Sequence, residues 1–235
     1  MIALKRTALA AALAGFAVLL TGCFGNEPAQ RAAFIEFLQK RIIDKPGLHI
    51  PIMSDQDVSN LGPYADHYRI MNGFHHRLDA TISKDFGRAM QMGSPRSLED
   101  LVQHRALLPT ITQGMAKMKV EIDAALAEAD AAHAALKQPP DLKIVYDKAY
   151  DHMVTKPANV FRELIPIMTS GLPIIEKLAA FLDEHRGAIE YRGGMPYTRD
   201  ARLRPQLEAL MQEAVKVSEA SAEGKRKLQA MAEGK

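Results

Sequence analysis

Residues 97–137 read SLEDLVQHRALLPTITQGMAKMKVEIDAALAEADAAHAALK, and this stretch decides the fold. Its apolar side chains recur at alternating intervals of three and four residues, which is the spacing of one face of an α-helix. A repeat held this long predicts a helix packed against antiparallel neighbours, with a kink near Pro109. The residues on this face are Leu101, His104, Leu108, Ile111, Met115, Met118, Ile122, Ala125, Ala129, Ala132 and Leu136.

The same helical period covers most of the remaining chain. The exception is residues 188–198, where polar and apolar residues alternate around Gly193-Gly194, a pattern typical of a β-hairpin. The sequence therefore predicts an all-α fold: an antiparallel bundle of about six helices with one small β-hairpin near residues 188–198. The other predicted helices cover about residues 26–44, 54–86, 141–154, 157–187 and 198–235.

Composition excludes several classes of protein. Hydrophobic residues make up 47% of the 235 residues and charged residues 25%, which is typical of a globular chain. Lys and Arg number 30 and Asp and Glu 28, a balance that argues against a nucleic-acid-binding protein. The single Cys excludes an intramolecular disulfide framework. GxSxG, SxxK and HExxH motifs are absent from the sequence, so we predict no enzyme and no cofactor.

The N-terminus resembles the signal peptide of a bacterial lipoprotein. Lys5 and Arg6 precede an uncharged apolar run over residues 8–20, which is too short to span a bilayer. Residues 20–23, Leu-Thr-Gly-Cys, resemble a lipobox, and the only Cys of the chain stands at its modified position. The resemblance implies that Cys23 is lipidated with diacylglycerol and palmitate.

This interpretation divides the chain into three parts. Residues 1–22 are a cleaved signal peptide, residues 23–29 are the lipidated Cys and a tether, and residues 30–235 are the helical bundle domain. Bacterial lipoproteins with Asp directly after the Cys are typically kept in the inner membrane. Here that residue is Phe24, so the resemblance implies the outer membrane, with the domain facing the periplasm.

Five segments of the sequence are distinctive: residues 30–39, 61–64, 129–138, 154–158 and 164–166. They read QRAAFIEFLQ, LGPY, ADAAHAALKQ, VTKPA and LIP. Together they resemble the bacterial lipoproteins grouped as domain of unknown function 3053, over essentially residues 20–200. The resemblance implies a cellular location and a fold, and it supplies no catalytic or binding residue.

Three side chains form the one candidate site in the predicted bundle interior. If two consecutive helices form a hairpin that turns near Met92, His75 and His104 lie about one turn apart, with Asp79 one turn along from His75. A His/His/Asp metal site or a proton-responsive pair is one interpretation. The other is two buried neutral histidines hydrogen-bonded to Tyr, Asp or backbone, and the lack of a metal-binding motif favours it.

The sequence is compatible with two functions. The leading hypothesis is an outer-membrane-anchored periplasmic lipoprotein without enzymatic activity, which contacts the membrane through Cys23 and an envelope protein through its bundle. The alternative is a lipoprotein that binds a small ligand or metal in the bundle interior around His75 and His104. In-cell crosslinking separates them, because only the first requires a protein partner.

Overall fold

The computed structural model describes residues 26–81 and 97–234. Residues 1–25, which include the predicted signal peptide and the predicted lipobox with Cys23, lie outside these ranges, as do residues 82–96 and Lys235. The predicted all-α class with one small hairpin is confirmed. In chain order the elements are α1 (Glu27–Leu38), α2 (Asp55–Leu61), α3 (Tyr64–Thr81), α4 (Leu98–Gln103), α5 (Leu108–Ala135), α6 (Pro140–Tyr150), α7 (Lys156–Glu184), β1 (Ile189–Arg192), β2 (Met195–Thr198) and α8 (Arg204–Glu233).

Two π-helical turns continue the α-helices, the first of them within the predicted helix of residues 26–44. One, Gln39–Ile43, continues α1, and the other, Asp151–Thr155, joins α6 to α7. Residues 140–184 thus form one continuous helix of 45 residues, about 65 Å along its path, where the sequence predicted two. Pro157 is tolerated because it lies in the first turn of α7, where its missing N–H is not needed.

By length and apolar composition this continuous helix is long enough to cross a membrane, as core helices of soluble bundles also are. In this structure α5 packs against it in antiparallel orientation over much of its length. The pairs in contact fall in strict reverse order along the two helices, which makes this interface the long axis of the molecule. They are Leu108 with Ala179, Asp123 with Arg162, Asp130 with Tyr150, and His133 with Asp147.

The remaining elements cover opposite halves of this axis. At one end, α1 and α3 pack against α5 and α6 around the larger core, which includes Phe34, Tyr68 and Tyr146. We call this the α1 end, because α1 begins there. At the other end, α4, the β-hairpin and the start of α8 surround a smaller core that contains Leu182 and Leu207. We call this the hairpin end.

The stretch that decides the fold is helical, but it is not one helix. α4 ends at Gln103, a single 3₁₀ turn covers Arg105–Leu107, and α5 starts at Leu108. Pro109 explains the break, since inside a longer helix its ring would clash with the preceding turn. The chain therefore restarts, and Pro109 occupies the first turn of the new helix.

Glycines permit two tight structures. Gly193 and Gly194 have φ of 58° and 81° and form the two-residue turn between β1 and β2, the left-handed pair that this type of hairpin requires. Gly47, with φ of 71°, lies against the end of α8, and a Cβ there would overlap the carbonyl oxygen of Ala232. Next to it the Leu48 N–H donates to the Met231 carbonyl at 3.2 Å.

Candidate functional site

His75 lies inside the larger core, on the face of α3 that looks toward the long helix. Its side chain is 3% exposed, and Nε2 lies 2.6 Å from the carbonyl oxygen of Met153. Met153 belongs to the π-helical turn between α6 and α7, where carbonyls depart from the regular α-helical ladder. Burial lowers the pKa of His75, so the neutral ring donates its Nε2–H to that carbonyl.

An open groove of about 620 Å³ borders His75 between α3 and the connector before α2. The connector contributes Ile50, Ile52 and Met53, of which Ile52 is 88% exposed. The helix contributes a polar side that includes His76 and Asp79. An apolar wall facing a polar one suits a small amphipathic molecule, and the volume lies within the usual range of ligand sites.

His104 lies elsewhere, so the expected neighbourhood of His75 and His104 is wrong. His104 is exposed at the end of α4, where its Nδ1–H donates to the Asp100 carbonyl at 2.8 Å. The adjacent Arg105 pairs with Asp183 at 2.9 Å, whereas His75 contacts Met153. Asp183 and Met153 are 30 residues apart on one helix, which separates the two histidines by about 45 Å.

The helix register explains this error. Arg77 of α3 pairs with Glu121 at 3.3 Å and with Glu128, whereas a hairpin turning near Met92 would place it opposite residue 107. α5 is displaced relative to α3 because residues 97–107 form α4 and the 3₁₀ turn. The sequence predicted these residues as the first turns of one long helix. Within residues 26–81 and 97–234, no group of three or more His, Cys, Asp or Glu side chains is arranged to hold a metal ion.

A second group of polar and aromatic side chains, not identified from the sequence, joins α5 to α6 near the α1 end. His133 donates to Asp147 at 2.9 Å, its ring centroid lies 4.2 Å from that of Tyr150, and the Tyr150 hydroxyl donates to Asp130 at 2.7 Å. Burial and the nearby Asp130 carboxylate raise the pKa of Tyr150. The four-residue spacing of Tyr146 and Tyr150 places both on one helix face, and this is the signal in the sequence from which the group could have been predicted. Because these groups bond to one another, we assign them to holding the two helices together.

Comparison with known proteins places the chain in a family. The family described as "Protein of unknown function (DUF3053)" matches residues 9–229. The chain belongs to this family. Among curated relatives of this DUF3053 protein, "Uncharacterized protein YiaF" of Escherichia coli (strain K12) is 33% identical over 150 residues, which is 63% of each chain. The proteins of that name from Escherichia coli O157:H7 and Shigella flexneri match equally well.

The chain thus spans 63% of the length of the curated relatives it matches. No solved structure matches it. These names state no reaction and no ligand, so the function has to be argued from the geometry and chemistry of this chain.

Proposed function

We propose that this protein is a bacterial lipoprotein, anchored through acylated Cys23 to the periplasmic face of the outer membrane, that acts by contacting another envelope protein. The observation that carries the proposal is the position of α1. It begins at Glu27, three residues before the expected start of the domain, and its Phe34 and Leu38 side chains are fully buried in the larger core. Four residues from Cys23 to Glu27 reach about 14 Å at most, so the lipid would hold the folded bundle itself beside the membrane.

The hairpin end supplies the surface for a protein partner. Tyr191 and Met195 are exposed there, and the Arg192 guanidinium lies 4.1 Å from the ring centroid of Tyr197. Aromatic residues, Met and Arg are enriched at protein interfaces. The continuous helix of residues 140–184 would carry this end away from the anchored end, toward partners in the periplasm.

Cys23→Ser tests the anchor. We expect the variant to lose the acyl mass and to leave the membrane fraction while keeping a helical circular dichroism spectrum, because Cys23 precedes every described element. A variant that stays in the membrane after a high-salt wash contradicts the anchor. Phe24→Asp is the matched control for the choice of membrane. We expect this variant to keep its lipid and to move to the inner membrane fraction.

The partner is tested by site-specific photocrosslinking in cells. A photoreactive amino acid at Met195, which is 53% exposed, should give a reproducible crosslinked protein band. The same residue placed at Val215, which is 51% exposed on α8, should not. Equal labelling at both positions, or none at either, contradicts a specific contact at the hairpin end.

The second candidate function is binding of a small amphipathic molecule, and the groove beside His75 favours it. Gly73 lines this groove, and a Cβ built there meets nothing within 4 Å, so we expect the Gly73→Leu side chain to enter the groove. Gly187→Leu is the matched control, since that position is equally open. A ligand mass seen by native mass spectrometry should disappear in Gly73→Leu and remain in Gly187→Leu. If neither variant changes the spectrum, the groove is not the site.

A further inference from the structure

Three chain segments meet at the α1 end and form one surface. The start of α1 contacts the start of α3, where the Tyr64 hydroxyl donates to Glu27 at 2.5 Å. It also contacts the start of α6, where Arg31 lies 3.4 Å from Asp141. The turn between α5 and α6 joins this surface through Gln138, whose side chain donates to Nδ1 of His67 at 3.0 Å.

Small apolar residues and prolines are exposed on this surface beside its charged residues. Pro has no N–H, so the exposed backbone here offers fewer donors that would need water. Ile144, one turn into α6, is 60% exposed. The other exposed apolar residues of the surface are Pro28, Ala29, Ala32, Pro63 and Pro140.

The charges of this surface fit a phospholipid headgroup layer. Arg31 pairs with Glu27 at 3.7 Å and with Asp141, one positive against two negative charges, and the exposed Lys137 and Lys148 bring the net charge of these five side chains to +1. Lys137 and Lys148 are exposed on either side of Ile144 in the sequence. Lys side chains next to an exposed aliphatic residue can extend to lipid phosphates while the apolar residue contacts the acyl boundary.

We propose that the α1 end rests directly on the phospholipid surface, with Ile144 and Ala32 at the headgroup level and the long axis directed away from the membrane. This inference rests on the proposed acylation of Cys23. The short chain between Cys23 and Asn26, the first described residue, indicates that lipid is what covers this surface. With about 10 Å of chain available, the acyl groups on Cys23 can enter the bilayer only when this end of the molecule faces it.

Tryptophan fluorescence tests the orientation, because the chain contains no Trp. Acylated Ile144→Trp protein is placed in phosphatidylethanolamine–phosphatidylglycerol vesicles that include a lipid with dibrominated acyl chains. We expect loss of most of the emission relative to unbrominated vesicles. Met195→Trp, at the hairpin end with comparable exposure, should keep its emission. Ala32→Trp is a second reporter in case Ile144→Trp is poorly folded.

The outcomes separate this proposal from the anchor itself. Protein that carries the acyl mass and floats with the vesicles, but whose Ile144→Trp and Ala32→Trp emission is unchanged, overturns the orientation and leaves the anchor intact. Protein without the acyl mass overturns the anchor. Quenching that is equal at positions 144 and 195, or concentration-dependent self-association through position 144, also overturns the orientation.

Discussion

His75 links the stability of the bundle to pH. Burial lowers its pKa below the ordinary value of 6.5, so the unfolded chain binds more protons than the folded chain as the pH falls through that value. The free energy of unfolding should therefore decrease below about pH 6.5. Burial lowers the pKa of His67 too, so part of this decrease belongs to that residue.

The His75→Gln variant isolates the contribution of His75. Gln keeps a donor for the Met153 carbonyl but cannot be protonated, so the loss of stability between about pH 7.5 and about pH 5.5 should become smaller than in the wild type. Urea unfolding followed by circular dichroism measures it. His67→Gln should also diminish the loss of stability, because burial lowers the pKa of His67 too. An undiminished decrease in His75→Gln contradicts the assignment.

Gly47 is required by both its backbone angle and its neighbours. Its φ of 71° strains any other residue, and an added Cβ would overlap Ala232. We expect Gly47→Ala to cost about 2 kcal/mol or more in the free energy of unfolding. Gly73→Ala is the opposite case, because Gly73 is an open position inside α3, and there we expect a gain of about 0.5–1 kcal/mol. Chemical denaturation measures both, and equal effects would show that neither strain nor space matters at Gly47.

The packing of α7 on α8 depends on a close approach at Gly171. A Cβ there would clash with Cγ1 of Val217, so Gly171→Ala should destabilise the protein by about 1–3 kcal/mol. Val217→Ala removes the clashing atoms, and the double variant should lose less stability than the sum of the two single variants. A double-mutant cycle by guanidinium unfolding measures this coupling. Strict additivity would mean that Val217 is not the source of the destabilisation by Gly171→Ala.

Individual helix faces could be predicted from the sequence because a period of 3.6 residues reports local geometry. Met115, Met118 and Ile122 are buried in α5 as expected, and Ser54 and Asp57 form a capping box at the start of α2. The pairing of helices could not be predicted in this way. It depends on where a helix restarts, and the break before Leu108 shifts α5 against α3 and removes His104 from the candidate site.

The π-helical turns were likewise not evident from the sequence. A π-turn accommodates one extra residue without interrupting the helix. The apolar spacing before Asp151–Thr155 therefore does not continue in step after it, and the sequence predicts two helices. This matters for the site, because Met153 lies within that turn and its carbonyl is the partner of His75. Sequence identified the buried histidine, and only the structure identified what it binds.

The molecule as a whole has unequal stability along its axis. Among the described residues, the larger core at the α1 end contains many more fully buried side chains than the core at the hairpin end, which is built around Leu178, Phe181, Leu182 and Leu207. Amides of α4 and of the start of α8 should therefore exchange with solvent at lower opening free energy than amides of α3 and α6. Hydrogen–deuterium exchange with mass spectrometry measures the difference. Uniform protection would mean that the bundle opens as one unit.

The contact between Gly47 and the end of α8 joins two segments that are about 185 residues apart in the chain. On the proposed export route the chain reaches the periplasm from its N-terminus, so residues 46–48 emerge long before their partners at 231–234. The larger core has all its helices once α7 has emerged, whereas this junction must wait for residues 231–234. On that route the junction would form later than the larger core, and a chain that stalls before residue 231 would remain open there.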